Sequence, residues 1–245
     1  MVLSPHAARR MNVFIKKVGR GINRHRMIRP GEKILISVSG GKDSLALCLA
    51  LQERKKWVPM DYELHGLFID WREYPAGAEN LKALLEFMGS LDIPCRIAEA
   101  SIYPLTYDKP FNCYICSRNR KRILFQEAER LGLGKVAVGH HLDDIIETTL
   151  MNLFFKGEIA TMLPVQDFFD GKIKIIRPMC EVEEREILRL MKIYPLPVFD
   201  INCPRKPDDQ RAFFKDLIRQ VKRVNKHVKD NLYNAPWHIN RDYLP

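Results

Sequence analysis

Short apolar runs alternate with longer amphipathic ones along most of this chain. Residues 33–38 (KILISV) form a nearly continuous apolar run of strand length, and 43–53, with Leu45, Leu47, Leu49 and Leu51 among small residues, read as a packed helix. A second strand is expected at 62–69, followed by helix 77–88, strand 93–98, helix 114–131, strand 135–138 and a helix carrying 145–149. Strands separated by helices in this way predict an α/β fold built on a mostly parallel sheet with helices on both faces. Residues 164–176 read instead as a hairpin turning at Asp170 and Gly171, and 181–192 return to helix.

Basic helical segments frame this core. Residues 7–26 interleave Met11, Val13, Phe14, Ile15, Val18 and Ile22 with seven Lys and Arg, and 209–229 carry Arg211, Lys215, Arg219, Lys222, Arg223, Lys226, His227 and Lys229. The 245 residues, 46% of them hydrophobic, can fill one sizeable core and a small annex. A formal net charge of +10, from 40 Lys and Arg against 30 Asp and Glu, favours a polyanionic partner such as nucleic acid. The basic helices are candidates to flank a groove for phosphates, with Tyr107, Phe111, Tyr114 or Trp237 offering base stacking; the alternative is a pair of solvated, charged helices.

No apolar stretch approaches the roughly 20 residues that span a bilayer, and the N-terminus lacks a signal-peptide core. The chain therefore reads as cytoplasmic, without a membrane partner. In a reducing compartment its six cysteines are read first as metal chemistry. Cys48, Cys95 and Cys180 sit in apolar surroundings and read as packed thiols. Cys113 and Cys116 open a helix three residues apart, and Cys203 precedes another helical segment. A redox pair, a structural zinc that lacks an evident fourth ligand, and an iron-sulfur cluster with one iron open all fit that spacing.

Two motifs end strands of the predicted sheet. SGGKDS at 39–44 follows the first strand, where paired glycines and a helix N-terminus suit phosphate oxygens, although the spacing is not that of the kinase and GTPase loop. GHHLDD at 139–144 follows the fourth, so Gly139, His140, His141, Asp143 and Asp144 are expected to face the phosphate loop. Asp144 suits Mg²⁺ or a Mg²⁺-bound nucleotide; the bland alternative is a helix capped by Asp143 over a packed His140 or His141. Phe68, Ile69 and Asp70, at the end of the second strand, are placed to hold an adenine or ribose.

Taken together, SGGKDS, GHHLDD and the cysteines 113, 116 and 203 resemble the tRNA 2-thiocytidine synthetase family, within the PP-loop ATP pyrophosphatases. The resemblance runs from about residue 13 into the C-terminal helices. It implies an adenine-nucleotide alpha-hydrolase-like (PP-loop) core at 31–200, including the hairpin near 164–176, with a basic helical segment at 1–30 and a cysteine-bearing helical extension at 201–245. It also implies ATP and Mg²⁺ adenylating the C2 oxygen of a tRNA pyrimidine, and sulfur from sulfide or a persulfide donor at the open iron of a [4Fe-4S] cluster displacing AMP.

On that resemblance, Ser37, Ser39, Gly40, Gly41, Lys42, Asp43, Ser44, Phe68, Ile69, Asp70, Gly139, His140 and Asp144 bind the nucleotide. Asp43 and Asp144 hold Mg²⁺ and serve activation, Cys113, Cys116 and Cys203 ligate the cluster, and Arg120 or Lys121 binds sulfide, phosphate or RNA. A homodimer is implied as well. Uridine in place of cytidine, a non-tRNA sulfur acceptor and a noncatalytic RNA-binding protein remain alternatives; lysidine synthetases share both nucleotide motifs but leave the three cysteines unexplained.

Overall fold

Ile34, Leu35 and Ile36 of β1 (Glu32–Val38) are all fully buried, so this strand is covered on both faces, the setting that calls for a continuous apolar run. The computed structural model describes residues 4–58, 60–103, 113–201, 203 and 209–243. Five more strands complete one sheet: β2 (Tyr62–Trp71), β3 (Cys95–Ala100), β4 (Lys135–Ala137), β5 (Val165–Phe168) and β6 (Ile173–Ile176). Their order is β3-β2-β1-β4-β6-β5, parallel throughout except for the β5–β6 hairpin. In register, Ile36 lies between Gly66 of β2 and Ala137 of β4.

The chain builds outward from β1 to β3 and then returns to place β4 on the opposite side of β1. The loops leaving the carboxyl ends of these two neighbouring strands therefore lie side by side at the reversal of strand order, the usual ligand side of such a sheet.

Helices cover the sheet unevenly. On one face α2 (Lys42–Lys55) buries every residue from Ser44 to Leu51, surrounded by α1 (Pro5–Arg24), α3 (Ala78–Ser90), α5 (Leu142–Lys156), α6 (Glu184–Met191), α7 (Asp209–Val224) and α8 (Val228–Asn234). On the other, α4 (Cys113–Arg130) sets Leu124 and Ala128 against Leu35, Leu67, Val136 and Ile175. Among the described residues no helix is long and apolar enough to cross a membrane.

The N-terminal helix is part of the main core. Ser4 caps it by accepting from the Ala7 amide at 3.3 Å, Pro5 occupies its first turn, and Met11, Phe14, Ile15, Val18 and Ile22 are buried at helical spacing. Three of its cations meet acids of the same molecule: Lys17 binds Glu186 at 2.6 Å, and Arg20 and Arg24 both bind Glu181. The C-terminal helices behave alike, with Arg211 on Asp144 and Glu147, Lys215 on Glu184, and Lys229 on Asp143 and Glu183. Part of the charge expected to flank a groove for phosphates is thus met by acids of the fold, while Arg9, Arg10, Lys16, Arg223 and Lys226 stay exposed.

Two boundaries also differ from the sequence reading. The single helix expected at 209–229 is broken: Asn225 accepts from the His227 amide at 2.9 Å through its side chain, a local bond that competes with the helix, and α8 starts afresh at Val228. The hairpin turns over four residues, with Phe169, Asp170 and Gly171 all at positive φ (53°, 54° and 83°). Removing packing under α1 should be costly: Ile22→Ala is expected to lose about 2–5 kcal/mol in urea denaturation, whereas exposed Lys16→Ala should stay within about 0.5 kcal/mol.

Candidate nucleotide and thiol site

The loop after β1 is organised around Ser44. Its hydroxyl donates to the Gly41 carbonyl at 2.9 Å and accepts from the Ser39 amide at 3.1 Å, while the Ser39 hydroxyl lies 3.1 Å away. Gly40 holds φ +77°, and a Cβ there would strike the Phe199 ring at 2.4 Å. Lys42 grips both oxygens of Asp43, at 2.9 and 3.0 Å, and reaches Glu184 at 3.1 Å. Burial would lower the Lys42 ammonium, but Asp43 and Glu184 outweigh it and hold it above its ordinary range.

The loop after β4 is pressed directly against this one. A Cβ on Gly139 would stand 3.0 Å from both the Asp43 carbonyl carbon and the Ser44 nitrogen. His141 begins α5 as its cap: its ring accepts from the Asp144 amide at 3.4 Å, and Asp144 accepts in return from the His141 amide at 2.9 Å. The opposite edge of the ring lies 3.8 Å from Asp43, so His141 stands between the two carboxylates. Asp144 thus takes the capping role that the sequence reading allowed to Asp143. Asp143 is buried, accepting from the Glu184 amide at 2.7 Å and pairing with Lys229.

His140 accepts at Nδ1 from buried Arg177 at 3.4 Å. Burial and that guanidinium push its pKa down to about 4, so its ring is neutral near pH 7. Glu183 and Glu184 move in the other sense. Burial would raise them, yet bonds and charges from Lys229 and from Lys215 and Lys42, respectively, hold each at about 2.

Phe68 and Ile69 are buried, and half-buried Asp70 accepts from the Ala76 amide at 2.8 Å through one carboxylate oxygen. The space beside the first two is only about 20 Å³, bounded also by Ser37, Ser39, Arg120 and Ile201. Phe199 fills the rest: its ring centre lies 5.8 Å from that of Phe68, and its amide donates to the Gly40 carbonyl at 3.2 Å.

The thiols occupy the same edge of the sheet. Asn119 donates to the carbonyls of Ser101 and Ile102, at 2.7 and 3.2 Å, and so fixes the start of α4 where the chain leaves β3. Cys113 is exposed and Cys116 half-buried against the second core. Burial pushes the Cys116 thiol up, Arg120 opposes this, and charge on Cys113 and Cys203 adds to it, so the three cysteines share one electrostatic neighbourhood. Among the described residues no three His, Cys, Asp or Glu stand in closed metal-ligating geometry. Cys48, Cys95 and Cys180 are free thiols raised by burial and hence inert, in keeping with packing roles. Tyr107 and Phe111 lie outside the described residues.

Sequence reasoning missed Glu147, Phe199 and Arg177, and placed Arg211 among phosphate-facing cations without its partners in the site. Glu147 carries a visible signal, an acid at a buried position of an otherwise apolar helix, three residues after Asp144. It is 1% exposed, and burial pushes it up to about 7 despite Lys215 and Arg211. Arg211 contacts both Asp144 (3.4 Å) and Glu147 (3.3 Å), tying α7 to the GHHLDD loop. Phe199 sits in a segment with no motif.

A glycine loop and an acidic loop in contact at a reversal of strand order define a PP-loop nucleotide site. The PP-loop domain family matches residues 3–219. At 32% identity, the whole chain aligns with 93% of a tRNA-cytidine(32) 2-sulfurtransferase from Pelobacter propionicus, and 93% of it aligns with 76% of one from Polynucleobacter asymbioticus at 33%. The chain therefore belongs to the PP-loop family and, within it, to the group of these relatives. Its fold is also that of a U34-tRNA thiolase from Methanococcus maripaludis solved with a [4Fe-4S] cluster: TM-score 0.71 and 21% identity, covering 94% of this chain and 81% of that one.

Two outcomes follow from this geometry. Gly139→Ala must displace backbone of the phosphate loop, so calorimetry should show ATP affinity at least about tenfold weaker, while Gly89→Ala, with open space around it, leaves affinity unchanged. A carboxyl raised from 4.5 to about 7 on folding binds more protons folded than unfolded between those values, so its contribution to stability falls as pH rises through that window. The stability of Glu147→Gln relative to the parent should accordingly increase from pH 5 to pH 8 in denaturant titrations.

Proposed function

We propose that this protein is an ATP-dependent tRNA sulfurtransferase that replaces the C2 oxygen of a cytidine with sulfur. The observation that carries this reading is the contact of Gly139 with the backbone of Asp43 and Ser44, with the thiols of α4 on the same sheet edge. The names of the curated relatives supply the acceptor, a tRNA cytidine.

The residues suit two successive steps. Amides of Ser39, Gly40 and Gly41, the Ser44 hydroxyl and Lys42 receive the β- and γ-phosphates at the positive end of α2. Neutral His140 and the Asp144–His141 cap hold the opposite wall. The cytidine C2 oxygen attacks the α-phosphorus, the bond to the β-phosphate oxygen breaks, and pyrophosphate departs. A sulfide nucleophile then attacks C2, and the original oxygen leaves in AMP. Arg120, between Ser39 and the cysteines, is placed to steady the anions of both steps. Nucleotide entry requires Phe199 and Ile201 to yield, since they fill the space next to Phe68.

The donor sets agree with the implied cofactors to different degrees. Three free thiols within electrostatic reach would suit a [4Fe-4S] cluster held by Cys113, Cys116 and Cys203, which would supply the sulfur chemistry of the second step. For Mg²⁺, both carboxylates are engaged, Asp43 by Lys42 and Asp144 by its helix cap and Arg211, so the ion would have to displace a cation from either. A homodimer has a candidate face in exposed Phe154, Phe155, Ile159 and Phe213; a Phe154→Lys, Phe213→Lys variant should be monomeric in light scattering, and an unshifted mass would remove that face.

Nucleoside mass spectrometry of tRNA after anaerobic incubation with reconstituted protein, ATP, Mg²⁺ and sulfide should reveal 2-thiocytidine. Appearance of 2-thiouridine would correct the base, and absence of both despite an intact cluster would redirect the activity to a non-tRNA acceptor. Cys113→Ala, Cys116→Ala and Cys203→Ala should each lose bound iron and visible absorbance; stoichiometric zinc without iron in active protein would refute the cluster.

A further inference from the structure

The surplus of positive charge has to find an anion somewhere, and the basic terminal helices use much of theirs internally. A different surface keeps its cations. The exposed side of α4 carries Arg118, Lys121 and Arg122, and Lys172 faces them from the β5–β6 turn across a groove of about 1070 Å³. Among the described residues no carboxylate forms an ion pair with any of the four. Arg122 donates to the neutral acceptors Asn119 and Gln126, and among the described residues the one acid lining the groove is Glu129 at its far end.

Aromatic rings are interleaved with these charges. Tyr114 is 65% exposed, with the Arg118 guanidinium 5.7 Å from its ring centre. Phe169 is 59% exposed although its φ of +53° is unfavourable for an aromatic residue, a local cost that core packing does not explain. Phe125 supports that ring from the groove floor in an edge contact at 5.5 Å.

The groove also leads to the proposed reaction site. Tyr114 lies between Cys113 and Cys116, and from there the wall follows α4 for roughly 20 Å. Neighbouring residues of the helix divide their roles: Arg120 faces the phosphate loop while Lys121 faces the groove.

From unpaired cations, exposed rings and continuity with the cysteines, we infer that this groove binds the phosphate backbone of the tRNA substrate, with Tyr114 and Phe169 as stacking platforms. The inference rests on the sulfurtransferase reading and adds the surface that receives its substrate. Cations in register with phosphates release counterions, and aromatic faces accept bases without regard to sequence.

The test is fluorescence anisotropy of a labelled, unmodified tRNA transcript bound to the full-length protein across a salt series. Combining Arg118→Gln, Lys121→Gln and Arg122→Gln should weaken binding at least tenfold at low salt and lower the slope of log affinity against log salt by about two. Phe169→Gly removes the ring at a backbone position that glycine prefers, so it should fold normally yet bind about fivefold more weakly or worse. Both variants should keep the parent's melting temperature and ATP affinity. If the parent thiolates tRNA and both variants bind it with unchanged affinity and slope, the groove assignment falls alone. Should the charge variant under those conditions lose activity only when an acidic donor protein supplies the sulfur, the groove belongs to that donor. If the parent binds no tRNA even at low salt, the sulfurtransferase reading falls with it.

Discussion

Gly139 has no side chain, and the backbone of Asp43 and Ser44 lies where one would stand. Two loops that are remote in sequence meet there because β1 and β4 are neighbours at the reversal of the sheet. Everything else at the site depends on this approach. It brings His141 to within 3.8 Å of Asp43, sets the acids of α5 near the positive end of α2, and leaves Glu184 free to hold Lys42 from the far side. The capping pair of His141 and Asp144 then fixes the direction in which α5 departs.

Charge is distributed with a similar economy. Buried acids of α5, Asp143 and Glu147, and Glu183 just before α6 are met by cations of α7 and α8, and Glu181 is met by those of α1. Those pairs draw the terminal helices onto the catalytic core, and through Arg211 they join the segment following Cys203 to the GHHLDD loop. Among the described residues, Arg118, Lys121 and Arg122 on the outer side of α4, beside the thiols, form no ion pair with an acid. Some cations of this basic chain thus close the fold, and others face outward, one group of them along a groove.

Much of this was legible in the sequence, for reasons that can be named. The alternation of apolar runs marks the sheet because strands buried on both faces require it, and SGGKDS and GHHLDD reveal a shared crevice because strand ends converge. Asn225, an ordinary helix residue by composition, was not read as a break, since its effect depends on a bond between its side chain and the His227 amide. The inward turn of the basic helices was equally hidden: spacing shows which residues are charged and not which acids face them. Phe199 gave no sign at all, because its contact with Gly40 joins residues 159 positions apart through tertiary packing alone.

The central claim is that the cytidine carbonyl oxygen is activated by adenylation before sulfur replaces it. Transfer RNA labelled with ¹⁸O at C2 of the target cytidine, turned over anaerobically with ATP and sulfide, tests it directly. The account predicts one labelled oxygen in the phosphate of the AMP produced. Label in released inorganic phosphate, or unlabelled AMP accompanying thiolated tRNA, would contradict it.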